Sequence, residues 1–300
     1  MAQGNFKVSN EGGMWIRTEP IVSEATKKVL LPKGHTVEKL ADSPNPDWWQ
    51  VRTSFQGNDV EGFSNKNLMI ANGSGPSAAT GSSAELIAKT LTVLSQLAPK
   101  AHPNYLQAIR EGGPLFEQHG ITTPLRMAHF LAQAMTETGA LTVLRESMSY
   151  KVPRMLAIFG VGNHSANVTA AEAPALAQNE RALSERVYGL GNPKKAKDLG
   201  NTEPGDGFRY RGNGVLQMTG RDAHRRRGEA NGLDFEGNPD LATLPEHALK
   251  PALQEWADGN LNHFADIGDI RTITKRINGG LNGFDDRKAY FAKLLPRLNG

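Results

Sequence analysis

The sequence predicts two domains, a small all-β barrel over residues 1–71 and a mainly α (α+β) domain over residues 84–300. Three observations carry this. The chain has 300 residues, more than a single hydrophobic core usually serves. Residues 72–83 read NGSGPSAATGSS, an uncharged tether that buries nothing. Before the tether, short apolar runs alternate with turn residues; after it, apolar residues recur at helical spacing.

In the first domain the runs are Met14-Trp15-Ile16, Val29-Leu30-Leu31, 37–40, 48–51 and 60–63. Pro32-Lys33-Gly34 and Ser43-Pro44-Asn45-Pro46 separate them as turns. Neighbouring side chains on a strand face opposite sides. One of Trp48 and Trp49 is therefore expected in the core and the other at the surface, where it either covers the barrel edge or offers a stacking platform for sugar or peptide.

In the second domain residues 84–97 show helical spacing, and Thr123-Pro124 is an N-cap and first-turn pair that opens a helix through Met127, Phe130, Leu131 and Met135. Further helices are expected around 152–159, 170–178, 181–188, 248–264, 271–277 and 287–298. The glycine-rich polar stretch 189–220 interrupts them, as a segment that lines a site or forms a small ribbon.

Composition removes several chemistries. The chain has no cysteine, which excludes disulfides, thiolate metal sites and a cysteine nucleophile. Its eight histidines are scattered without metalloprotease spacing, and His129 reads as a satisfied structural histidine. No metal or organic cofactor is expected. Gly189-Leu190-Gly191 lacks the rest of a dinucleotide site, and no apolar run reaches the ~18 residues of a membrane span. The N-terminus lacks the layout of a secretory signal; the expectation is a protein made in the cytoplasm that reaches its target by holin, secretion system or lysis. A net charge of +3 is a mild basic bias toward anionic surfaces. Arg225-Arg226-Arg227 with Arg221 reads as a solvated helix face or as help in holding an anionic polymer; no nucleic-acid partner is expected.

Paired carboxylates are the better lead. Glu137 closes an apolar helical run, and a carboxyl embedded there is expected to be partly desolvated, as suits a general acid. Glu146 lies nine residues on. In an unbroken helix it would fall on the far face ~13.5 Å along the axis, but Gly139 can end the helix and let Glu146 return across a cleft. Two carboxyls across a cleft can flank a glycosidic bond, and inverting enzymes hold them ~6.5–9.5 Å apart to seat a water.

Two resemblances follow. WIRTEP at 15–20, LLPKGHTVEKL at 30–40, WWQV at 48–51 and EGFSNKNL at 61–68 are ordered as in a bacterial SH3 domain, which implies a cell-wall-binding barrel. In the second domain the pieces are AHFLAQAMTETGAL at 128–141, ESMSY at 146–150, RVYGLGN at 186–192, GDGFRYRGNGVLQMTG at 205–220 and ITKRINGGLNGFDDR at 273–287. In that order they resemble glycoside hydrolase family 19, chitinases and phage-type endolysins. The resemblance implies a lysozyme-like fold and an inverting single displacement. It places Glu137 on the general acid, Glu146 on the general base and Thr219 on the hydroxyl that positions water. Gln217 and Asn278 fall on substrate-contacting positions, with Tyr150, Tyr210 and Arg211 on cleft-lining ones and Arg287 supporting the fold beside the site. Asn213 stands where the family often has a second arginine.

The expected function is an endolysin-like muramidase that cleaves the β-1,4 glycan of peptidoglycan as a monomer. The alternatives are a chitinase sharing the machinery and, from another class, a glycan-binding protein without catalysis.

Overall fold

The computed structural model describes residues 5–8, 13–21, 24–32, 34–45, 48–71 and 83–300. Residues 72–82 of the expected tether, and Lys33 and Pro46 of the expected turns, lie outside them. The chain divides into two compact units, Met1–Thr80 and Gly81–Gly300.

The first unit is one antiparallel sheet of seven strands: β1 (Asn5–Val8), β2 (Met14–Arg17), β3 (Lys27–Leu31), β4 (Thr36–Asp42), β5 (Trp48–Phe55), β6 (Asn58–Asn65) and β7 (Met69–Ala71). Gln56 and Gly57, with φ of 53° and 79°, make the two-residue turn that the β5–β6 register requires. The order is β3-β2-β6-β5-β4-β1-β7. The expected SH3-like barrel is thereby corrected, because among the described residues β3 and β7 are the edges of the sheet and do not pair. Alternation along a strand says which side chains face the core, but closure depends on which edge strands meet, and alternation is silent on that. One face gathers Ile16, Leu31, Val37 and Val51 into the core.

Neither tryptophan of β5 stands free. Trp48 is 5% exposed. Trp49 shares the Val51 face, its ring centroid 4.6 Å from that of Phe6 and 4.5 Å from the Lys39 ammonium.

The second unit is helical. Its axis is the helix Pro124–Glu137, capped by the Thr123 hydroxyl, which accepts from the Arg126 N–H. Residues 127–135 are all buried, because this helix is enclosed on every side rather than amphipathic. The helix Phe284–Asn299 packs along it, and Phe130 meets Phe116 and Trp256 edge-on. Two polar side chains are buried with the run. Gln133 accepts from Arg287. His129 has both ring nitrogens unpartnered and stacks on Phe291 at 4.1 Å, so it is structural without being satisfied by hydrogen bonds.

The expected helix over 248–264 is two, Leu249–Asp258 and Leu261–Asp266, parted by Asn260 in the left-handed region at φ 48°. Helix Pro103–Glu111 was not expected, and helix Arg221–Asn231 was expected only as the solvated face that its arginine run suggests. The second has so few apolar residues that no buried stripe shows in its sequence. The expected β content of this unit reduces, among the described residues, to isolated bridges such as Arg145–Asn213 and Asn213–Met218.

Candidate active site

A cleft of about 650 Å³ opens in the helical unit, and Glu137 and Glu146 both line it. Their positions follow from the chain between them. The helix carrying Glu137 ends on buried Thr138, whose backbone N–H bonds to Ala134 O and whose hydroxyl accepts from the Leu141 N–H at 3.0 Å. Gly139, Ala140 and Leu141 then all take positive φ, 56°, 61° and 62°. Only the first suits that region without cost; for the other two it costs ~1–2 kcal/mol each. The left-handed turn reverses the chain, as the sequence anticipates at Gly139. Glu146 is then clamped against the glycine-rich segment: its N–H donates to Gly212 O at 2.7 Å, and Gly214 N–H donates to Leu144 O at 2.9 Å.

The Glu146 carboxylate accepts from the Tyr188 hydroxyl at 2.9 Å on one oxygen and from the Gly212 N–H at 3.3 Å on the other. Burial pushes its pKa up; Tyr188, Gly212 and Arg211 hold it down, and the charge of Glu137 adds to the rise. Glu137 is held differently. It accepts from Arg287, which is 2% exposed and also donates to Gln133. Arg287 therefore touches the candidate acid directly.

Thr219, Gln217 and Asn278 line the same cleft. The Thr219 hydroxyl donates to Gln217 O at 2.9 Å. Gln217 is left-handed at φ 50°, with its amide nitrogen 2.8 Å from Gly214 O. Asn278 is the last residue of the helix Ile270–Asn278, ended by Gly279 at φ 69°, so it terminates a helix and lines the cleft at once. Of the other three residues, Tyr210 and Arg211 are buried behind the lining, while Tyr150 is half-buried and feels the charge of Glu146. Tyr210 is 1% exposed and donates to Glu236 O. Arg211 donates to Glu146 O at 3.0 Å and lies over Phe208, and Tyr150 stands edge-on to Phe159. Asn213 is buried and turned inward, bonded to Pro239 O and to His224.

Sequence reasoning missed Tyr188, Lys195 and Glu255, which also line the cleft. Glu255 had a readable signal: it follows buried Pro251 and Ala252 by four and three residues, which puts it on the inward face of its helix. Burial and the charge of Glu137 push its pKa up to about 7, against Arg227, which pulls it down. Among the described residues, no three His, Asp or Glu side chains gather where they could hold a metal ion.

A glycosyl hydrolase family 19 domain-containing protein of Haemophilus influenzae is 28% identical to this chain over 207 residues, 68% of this chain and 94% of that protein. The chain is similar to family 19 glycoside hydrolases. No protein-family model matches it. Similar solved structures include chitinase C from Streptomyces griseus, with TM-score 0.49 and 17% identity over 73% of this chain and 96% of that one. A bacterial family 19 chitinase has TM-score 0.45 and 19% identity, over 71% and 95%. A class IV family 19 chitinase from Zea mays has TM-score 0.40 and 18% identity, over 74% and 94%.

Proposed function

We propose that this glycoside hydrolase cleaves the β-1,4 glycan backbone of peptidoglycan by a single displacement with inversion. One observation carries the reading: Glu137 and Glu146, on separate elements, share one cleft with Thr219, Gln217 and Asn278.

Arg287 engages Oε1 of Glu137, so Oε2 carries the proton that passes to the leaving glycosidic oxygen. Glu146, oriented by Tyr188 and the Gly212 N–H, takes a proton from the attacking water. A carboxylate whose pKa is raised by burial is a stronger base for that step. Thr219 donates its own proton to Gln217 O, which leaves its lone pairs to accept from the water. As the glycosidic C–O bond breaks, the water oxygen bonds the anomeric carbon from the opposite face. One proton leaves Glu137 and one arrives on Glu146, so the pair is reset by exchange with solvent. Peptidoglycan is favoured over uncharged chitin because its stem peptides, and the lactyl groups of muramic residues that lack them, carry carboxylates, which the basic balance of the chain, +3, attracts.

The test is mass spectrometry of products from purified sacculi and, in parallel, chitin hexamer, with Glu137→Gln as control. New N-acetylmuramic acid reducing ends, formed first as the inverted anomer, are expected. Chito-oligomers with untouched sacculi would make the substrate chitin, and full turnover by the variant would overturn the role of Glu137.

A further inference from the structure

The cleft has a wall that the displacement does not use. Lys195 and Leu199 are four apart on the helix Pro193–Leu199, and Ala223, Arg226 and Arg227 are spaced by three and four on the helix Arg221–Asn231. Each spacing presents one helix face, and the two helices pack on one another. Three cations thus stand along one side of the cleft. Arg227 is engaged by Asp258. Lys195 and Arg226 form no ion pair among the described residues, although their neighbours Lys194 and Arg225 do. Lys195 is half-buried, and a cation drawn partly out of water without a partner carries an uncompensated cost. His164 beside it adds no charge at neutral pH, since burial and the Lys195 ammonium lower its pKa. Glu146, which acts as the ionised base on the other side of the cleft, repels an anion. An anionic substituent on a bound glycan is therefore driven to this one wall.

We propose that Lys195 and Arg226 form a subsite for the carboxylate carried by the muramic acid residue of the glycan, a specificity device that a neutral N-acetylglucosamine polymer cannot engage. This rests on the peptidoglycan reading above. The carboxylate has two sources, the lactyl group of a muramic residue without a stem peptide, or the stem peptide where one is attached and turns the lactyl carboxyl into an amide.

The experiment uses the full chain carrying Lys195→Gln and Arg226→Gln together, with Lys194→Gln and Lys197→Gln together, both outside the cleft lining, as a charge-matched control. Rates are measured on intact glycan strands, on strands stripped of stem peptide by an amidase, and on chitin hexamer. Melting temperatures of all variants establish that they fold. The double variant is expected to lose about tenfold in kcat/KM on the muramic substrates, mainly through KM, as the loss of two solvent-screened ion pairs to the bound anion predicts. Chitin cleavage and the control are expected to be unchanged, and the wild-type advantage to shrink as salt is raised. A loss on stripped strands assigns the lactyl carboxylate, and a loss confined to intact strands assigns the stem peptide. Equal rates of wild type and double variant on both muramic substrates, or an equal loss on chitin, would overturn the subsite and leave the peptidoglycan reading standing. A wild type that cleaves chitin hexamer and neither muramic substrate would overturn that reading, and the subsite with it.

Discussion

Replacing Glu255 by Gln is expected to stabilise the helical unit at alkaline pH and to leave it unchanged in acid. Glu255 sits on the inward face of the helix Leu249–Asp258, where burial and the Glu137 charge move its pKa from an ordinary 4.5 to about 7, while Arg227 opposes the move. Between those values the folded chain keeps a proton that the unfolded chain has lost. Stability therefore falls as pH rises through that window and is fully retained only below 4.5. At 1.36 kcal/mol per pH unit, holding the carboxylate folded at pH 8 costs about 3 kcal/mol. This is a ceiling, since the half-buried group keeps part of its hydration. Glutamine has the shape of the protonated acid and cannot ionise. For a unit the size of Gly81–Gly300, a gain of that size raises Tm by roughly 6–12 °C. Calorimetric melts of both proteins at pH 4 and pH 8 measure it. His129 and His224 titrate in both proteins, so they cancel in the difference. A variant that gains nothing at pH 8, or gains equally at both pH values, would refute the placement of Glu255 as a desolvated carboxyl.

Three other outcomes follow from single contacts. Arg287→Met removes the cation that joins Glu137 to Gln133; urea unfolding should show a loss of about 3–5 kcal/mol, with kcat falling as Glu137 loses its anchor. Tyr188→Phe deletes a donor to Glu146, so the Glu146 pKa should rise further and the acid limb of the kcat/KM profile should move to higher pH; an unmoved limb would deny Glu146 the base role. His129→Leu removes two unpartnered buried nitrogens and should add about 1 kcal/mol at pH 7. Burial lowers the His129 pKa from 6.5 to about 4, so in the wild type stability falls as pH drops through that window. Thermal melts at pH 5 should therefore show a larger gain for the variant, by about 2 kcal/mol.

The local grammar of the chain was legible in advance. Thr123-Pro124 announces the start of the central helix, and Gly139 its reversal, because capping and left-handed backbone depend on a few adjacent residues. Periodicity also held the information that Glu255 faces inward. The sequence by itself thus determined the central helix, its reversal and the residue types that converge in the cleft, Glu137, Glu146, Gln217, Thr219 and Asn278. Tertiary structure alone decided three things. It left the N-terminal sheet open at β3 and β7, because closure is a choice between edges that each strand's alternation leaves free. It turned Tyr210 and Arg211 inward and brought Tyr188 to Glu146, because the direction of a side chain in a glycine-rich segment follows from what packs behind it. And it set Lys195 beside Arg226, because charges thirty-one residues apart share a wall only when their helices pack together.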